Sequence, residues 1–110
     1  MYTIEEIKEK ITPIVRDYGI NSISLFGSYA KGTANENSDI DLVMDKGKLT
    51  GLIEYVSLDN ALEKEFDCHV DLISKGSSNK KFLISIRNDE VLLYERERQT
   101  NYWKHHWFLQ

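Results

Sequence analysis

Two aspartates separated by one apolar residue, Asp39 and Asp41, form the part of this sequence that is best suited to chemistry. They begin an apolar run, and a β-strand is predicted over 39–44. Because side chains alternate between the two faces of a strand, both carboxylates should project from one face, with Ile40 and Leu42 on the other. Two carboxylates held so close repel each other unless a cation lies between them. The pair therefore predicts a site for Mg²⁺, which prefers carboxylate and substrate phosphate oxygens as ligands.

A third aspartate, Asp71, lies in a later apolar run, for which a strand is predicted over 68–73. If this strand pairs beside the one that holds Asp39 and Asp41, three carboxylates converge. Three carboxylates can hold two cations, and two cations can clamp the entering and the leaving oxygen of a displacement at phosphorus. His69 shares the face of Asp71 by the same alternation, and we interpret it as a structural or surface histidine.

A turn with the sequence Gly27-Ser28 joins a strand predicted over 22–26 to a short helical segment predicted over 29–32. Such a turn exposes backbone N–H groups and a hydroxyl to which a triphosphate could bind. Taken alone, a Gly-Ser turn is more often purely structural. Next to the acidic pair it becomes more specific, because a phosphate site beside a divalent-metal site is what nucleotidyl transfer requires.

An N-terminal helix is predicted from a capping-box pattern, in which Thr3 precedes Glu6 by three residues. Apolar residues recur after it at helical spacing, and Gly19 ends the helix. Pro13 interrupts the pattern, and Thr12-Pro13 also has the form of a cap and first-turn proline that begin a second segment.

The later part of the chain predicts two more helices and a fourth strand. A long helix is predicted over 50–66, with some irregularity near Ser57 and an apolar stripe made of Leu52, Val56, Leu62 and Phe66. After a connector rich in Gly, Ser and Asn, a helix is predicted over 80–87 and a strand over 91–94.

Composition limits the classes of function that the chain can serve. Its 110 residues suffice for one domain, and 14 Lys and Arg against 18 Asp and Glu give a net charge of −4. This balance argues against broad nucleic-acid binding, so no direct nucleic-acid partner is expected. The single cysteine excludes an intrachain disulfide. Because no segment has the length and apolarity of a membrane span or the features of a signal peptide, a cytoplasmic protein with no membrane partner is expected.

These motifs together resemble the signature of the DNA-polymerase-β-like nucleotidyltransferases. The resemblance is carried by Gly27-Ser28, Gly32 and Ser38-Asp39-x-Asp41. The step Ala30-Lys31-Gly32, the strand around Asp71 and the chain length resemble the smallest branch, the minimal nucleotidyltransferases. The likeness covers about residues 4–95, which implies a nucleotidyltransferase domain over 1–96 followed by an aromatic-rich tail over 97–110. It also implies the α+β fold of that superfamily, a small mixed sheet packed against helices in a single domain.

The resemblance assigns a role to each matching residue. Nucleotide binding falls to Gly27, Ser28, Lys31 and Ser38. Metal binding and catalysis fall to Asp39, Asp41 and Asp71, which would hold two Mg²⁺ ions, with Asp71 activating the acceptor hydroxyl. The implied substrate is ATP.

The smallest branch is commonly paired with a HEPN-family ribonuclease toxin, so the resemblance also implies a partner. The activity that the resemblance implies is transfer of AMP to a hydroxyl, a tyrosine of the HEPN toxin, so that the chain would act as an antitoxin in a hetero-oligomer. Two alternatives remain at this point. One is a non-catalytic antitoxin that neutralises the toxin by direct binding, and the other is a nucleotidyltransferase for a small molecule.

Overall fold

A computed structural model describes residues 1–49, 51–75 and 90–96. The helices and strands in these ranges are α1 (Ile4–Asp17), β1 (Ser22–Phe26), α2 (Gly27–Lys31), β2 (Ile40–Asp45), α3 (Leu52–Phe66), β3 (Val70–Ser74) and β4 (Val91–Glu95). The helix predicted over 80–87 and the tail over 97–110 lie outside the described residues. Within them, no helix is long and apolar enough to cross a membrane.

The sheet is mixed, with the strand order β3-β2-β1-β4. Strand β1 pairs antiparallel with β2 and with β4, whereas β2 and β3 are parallel. A parallel pair needs a crossover connection, and α3 provides it between β2 and β3. The expected α+β architecture, a small mixed sheet packed against helices, is confirmed, and β2 is an inner strand of the described sheet.

One face of the sheet forms the core with α1 and α3. On β2 the even-numbered side chains Ile40, Leu42 and Met44 are fully buried there. Helix α1 adds Ile7, Ile11 and Val15, and helix α3 adds Leu58, Leu62 and Phe66. Because alternate residues of a strand face opposite sides, this burial leaves Asp41 on the face away from these two helices.

Helix α1 is continuous, so the prediction of a second segment at Thr12-Pro13 is wrong. The capping box is present: the Thr3 hydroxyl accepts the Glu6 N–H, and the Glu6 carboxylate accepts the Thr3 N–H. Pro13 lies inside the helix, where its missing N–H removes one backbone bond. The helix tolerates this loss because Ile11 and Val15, on either side of the proline, are both fully buried against the sheet.

Helix α3 buries only half of the predicted stripe, since Leu62 and Phe66 are buried as predicted. Leu52 and Val56 are 78% and 47% exposed, and the buried side chains are Leu58, Leu62 and Phe66. At about 100° per residue, Val56 lies about 200° around the helix from Leu58, so these residues cannot share a face. The helix is also regular through Ser57, whose hydroxyl forms a hydrogen bond of 2.8 Å with the Tyr18 hydroxyl.

The end of α3 gives a test of local stability. Asp67 has the left-handed conformation, with φ at 53°, and its N–H donates to the Glu63 carbonyl. Glycine adopts this conformation without a Cβ penalty, and an anion at a helix C-terminus opposes the helix dipole. We therefore expect Asp67→Gly to raise the free energy of unfolding by about 1 kcal/mol in urea titrations. Asp67→Asn, which removes only the charge, should give about half of this gain, and a destabilised Asp67→Gly would contradict the explanation.

Candidate active site

Asp41 and Asp71 lie side by side on neighbouring strands. In the parallel pairing of β2 and β3 they are register partners, so their side chains project from the same face of the sheet. Neighbouring strands lie about 4.8 Å apart, which brings the two carboxylates within range of a shared ligand. Asp41 is half-buried and Asp71 is exposed. The predicted pairing of these two strands is therefore present, and it joins two of the three predicted acids.

Asp39 precedes the strand instead of beginning it, since β2 starts at Ile40. It is exposed at the end of a loop that Ser38 organises, because the Ser38 hydroxyl accepts the Asn35 N–H at 2.9 Å. The next residue fixes the loop to β3, since the Ile40 N–H donates to the His69 carbonyl at 3.1 Å. Because Ile40 is bonded to β3, its neighbour Asp39 is held near the other two acids. Asp39 itself lies just outside the strand that was predicted to contain it.

Negative charges surround Asp41 and change the pKa of its carboxyl. Burial raises the pKa of the Asp41 carboxyl, and repulsion from Asp71 and Asp39 raises it further, whereas His69 lowers it in part. The negative charges of Asp71 and Asp39 therefore both act on Asp41. A bound cation would relieve this repulsion, so the donor set suits Mg²⁺.

The acids do not enclose a metal ion by themselves. In the described ranges, no three side chains of His, Cys, Asp or Glu form a group that could hold one. Mg²⁺ usually binds to one or two carboxylates and completes its octahedron with water and substrate phosphate oxygens. The geometry fits an ion that arrives with a nucleotide better than a resident structural metal.

Gly27 packs directly against the Asp41 carboxylate. Its φ is +69°, and a Cβ built on it would overlap Asp41 Oδ2 and crowd Asp41 Cγ at 3.2 Å. Phe26, which precedes it, is the register partner of Asp41 in the antiparallel pairing of β1 and β2. A glycine is required here for two reasons: the backbone conformation, and the space that the carboxylate occupies.

The remaining predicted nucleotide-binding residues of the turn lie on α2, which is a little over one helical turn long. The Tyr29 side chain is buried in the core and anchors this helix. The Ser28 carbonyl accepts the Gly32 N–H, and Gly32 ends α2 with φ at 79°. Ser28 is partly exposed and Lys31 is exposed, so both side chains border solvent near the site.

Helix α3 contributes polar residues that the sequence did not suggest. Glu63 Oε2 accepts the Val70 N–H at 3.0 Å and lies 3.0 Å from His69 Nδ1. One helical turn before it, burial and the Glu63 charge raise the pKa of Asp59. A further turn back, the Tyr55 hydroxyl donates to the Leu72 carbonyl. The available signal was a spacing of four residues between polar side chains, which places 55, 59 and 63 on one side of the helix.

Removing the Asp41 charge should stabilise the metal-free protein. Since folding raises the pKa of this carboxyl, its ionised form opposes folding at neutral pH. We expect Asp41→Asn to raise the melting temperature by a few degrees at pH 7.5 in EDTA, as measured by circular dichroism. The gain should shrink as the pH falls through the raised pKa and vanish below 3.8, the ordinary value, where the carboxyl is protonated in both states. A gain that is independent of pH would contradict this assignment.

Comparison with known proteins identifies the family. The model of the family described as polymerase beta, nucleotidyltransferase, matches residues 9–99. Among curated proteins, the protein adenylyltransferase MntA of Thermococcus cleftensis is 35% identical over 81 residues, which are 70% of this chain and 82% of that protein.

Solved structures share the fold. A chain in the crystal structure of a toxin–antitoxin with AMP-PNP superposes with a TM-score of 0.69 at 25% identity, covering 94% of this chain and 89% of that chain. A chain in the structure of a tri-AMPylated HEPN toxin of Shewanella oneidensis in complex with an MNT antitoxin superposes with a TM-score of 0.65 at 22% identity, covering 90% and 78%. The chain belongs to the polymerase beta nucleotidyltransferase family, in its branch of minimal nucleotidyltransferases.

Proposed function

We propose that this protein transfers AMP from ATP to a hydroxyl of a HEPN-family toxin, with a tyrosine as the acceptor, and thereby acts as its antitoxin. The observation that supports this most is the pairing of Asp41 with Asp71 beside the Gly27 bend. The Thermococcus relative carries the name protein adenylyltransferase, and a toxin–antitoxin of similar structure was crystallised with the ATP analogue AMP-PNP.

On the nucleotide side, the backbone of Gly27 and the hydroxyl of Ser28 would bind the phosphates. Lys31 would contribute a positive charge from the exposed end of α2. Ser38, whose hydroxyl holds the loop before Asp39, would act on the nucleotide through that loop. The half-buried position of Asp41 against Gly27 supports a site in which phosphate and carboxylate oxygens lie within one coordination sphere.

On the metal side, Asp39, Asp41 and Asp71 would hold two Mg²⁺ ions, which neutralise phosphate charge when bound. Asp71 accepts the proton of the acceptor hydroxyl. The hydroxyl oxygen then forms a bond to the α-phosphorus, and the bond from that phosphorus to the bridging oxygen breaks, so that pyrophosphate leaves with the electron pair. Because this protein forms no covalent bond to the substrate, most of the rate gain comes from charge and position.

The exposure of the acids supports a protein as the acceptor. Asp39 and Asp71 are exposed, so a side chain presented by another molecule can approach them. We assign the reaction to residues 1–96, and the tail over 97–110 stays a predicted appendage. We further propose that this protein and its toxin act in the cytoplasm, where ATP is abundant.

The decisive experiment is intact-mass analysis of the purified HEPN toxin after incubation with this protein, ATP and Mg²⁺. We expect the toxin to gain AMP units and to lose its ribonuclease activity. Asp41→Asn should slow the transfer about a thousandfold, since it removes a ligand of the ions that stabilise the transition state. Asp45→Asn is the matched control, because Asp45 lies on the same strand but contacts Asn21 at the far end.

Other outcomes of this experiment would identify the alternatives. Neutralisation of the toxin without any gain of mass would contradict the transferase and indicate inhibition by direct binding. Transfer of AMP to a small-molecule hydroxyl, with the toxin unmodified, would indicate the other alternative.

Gly27→Ala should inactivate the protein through Asp41. The added methyl group occupies the position of the carboxylate, so Asp41 has to move. A displacement of about 1 Å at a catalytic group typically lowers the rate about a hundredfold, which we expect for AMP transfer by this variant. Gly32→Ala is the control: it has the same type of left-handed backbone, but a Cβ there meets nothing within 4 Å. If both variants lost activity equally, backbone strain alone would explain the effect.

A further inference from the structure

One carboxylate outside the predicted site holds the beginning of β3. Glu63 Oε2 accepts the Val70 N–H and contacts His69 Nδ1, each at 3.0 Å. The backbone of the same residue ends α3, because the Glu63 carbonyl accepts the Asp67 N–H at 2.8 Å. Glu63 therefore fixes both ends of the short connection from α3 to β3.

The two residues that Glu63 holds are the immediate neighbours of the predicted metal ligands. Val70 directly precedes Asp71. The His69 carbonyl accepts the Ile40 N–H at 3.1 Å, and Ile40 is the residue between Asp39 and Asp41. A shift of 69–70 relative to α3 would therefore be transmitted to all three acids.

We propose that Glu63 is a positioning residue for AMP transfer. Its carboxylate sets the position of β3 against β2, so that Asp71 stands beside Asp41, and it holds the His69 ring near the Asp41 carboxylate. Glu63 contacts neither nucleotide nor metal in this scheme, and its role rests on the transfer reaction proposed above.

The choice of a charged residue supports a role beyond filling space. β3 is an edge strand of the described sheet, and its outward Val70 N–H needs a partner. A carboxylate binds an N–H strongly, but here it also repels Asp59, which lies one turn earlier on α3. The second outward contact, from the Tyr55 hydroxyl to the Leu72 carbonyl, is made without any charge. A residue needed only to cover the edge could have been neutral, whereas a carboxylate also orients the imidazole.

The test compares Glu63→Ala and Glu63→Gln with Glu65→Ala. Glu65 is on the same helix and carries the same charge, but its partner is Lys10 at 3.5 Å, away from β3. Two quantities are measured at a temperature at which melting curves show every variant folded. They are the affinity for Mn²⁺ in the presence of AMP-PNP, by water-proton relaxation, and kcat for AMP transfer.

We expect Glu63→Ala to weaken Mn²⁺ binding and to lower kcat by roughly ten- to a hundredfold, as residues that orient metal ligands generally do. Glu63→Gln should lose only part of this, because the amide oxygen can still accept the Val70 N–H but carries no charge with which to orient the His69 ring. Glu65→Ala should change neither quantity. If Glu63→Ala does not fold, Glu63→Asp replaces it, since the shorter side chain cannot reach Val70 and His69 together.

The proposal is overturned if Glu63→Ala behaves like Glu65→Ala, or if Glu63→Gln loses as much as Glu63→Ala. These outcomes are distinct from failure of the proposed function. If the protein without substitutions transferred no AMP, the proposed transferase function would be wrong. The Mn²⁺ affinities would still decide whether Glu63 positions the acids.

Discussion

Repulsion between carboxylates on the shared face of β2 and β3 is the constraint on which the rest of the structure depends. Asp41 has to lie beside Asp71, because the even-numbered residues of β2 are buried in the core and this burial fixes the register of the strand. A slip of one residue would bury Asp41 and expose Ile40 and Leu42 to solvent. Burial of one apolar side chain contributes about 1.5–3 kcal/mol to the free energy of unfolding. The buried residues of β2 can therefore offset the repulsion of Asp41 by the neighbouring acids. The hydrophobic pattern of one strand is therefore what keeps the site assembled.

Several features that look unrelated serve this arrangement. Gly27 leaves the space into which the Asp41 carboxylate fits, and Tyr29 anchors the helix that follows. On the other side, Glu63 and Tyr55 cover the outer edge of β3, so this strand is held by α3 as well as by β2. The acids thus lie between two supports built from distant parts of the chain. This is the arrangement expected where a catalytic geometry has to be maintained against its own electrostatics.

Local signals in the sequence predicted much of the fold, including a strand that buries Ile40 and Leu42, because alternation, capping and glycine turns act over a few residues. Apolar periodicity predicted the burial of the second half of α3 correctly but failed on the first half, where Leu52 and Val56 lie on a different side of the helix from Leu58. Pro13 was misleading because tertiary packing outweighs one lost backbone bond. The only local signal of Glu63 is its spacing of four residues from Asp59, and that spacing does not predict its main partner, a backbone N–H whose position depends on the pairing of two strands.

The uneven exposure of the three acids fits the proposed transfer of AMP to another protein. Asp41 is half-buried against Gly27, on the side where a nucleotide phosphate would lie, whereas Asp39 and Asp71 are exposed. A charge that is half-buried interacts more strongly with a cation than an exposed one does, because water screens it less. The exposed pair can meet a side chain that another protein brings. Burial on one side and access on the other would suit the proposed reaction, in which this domain holds the nucleotide and a second protein brings the acceptor.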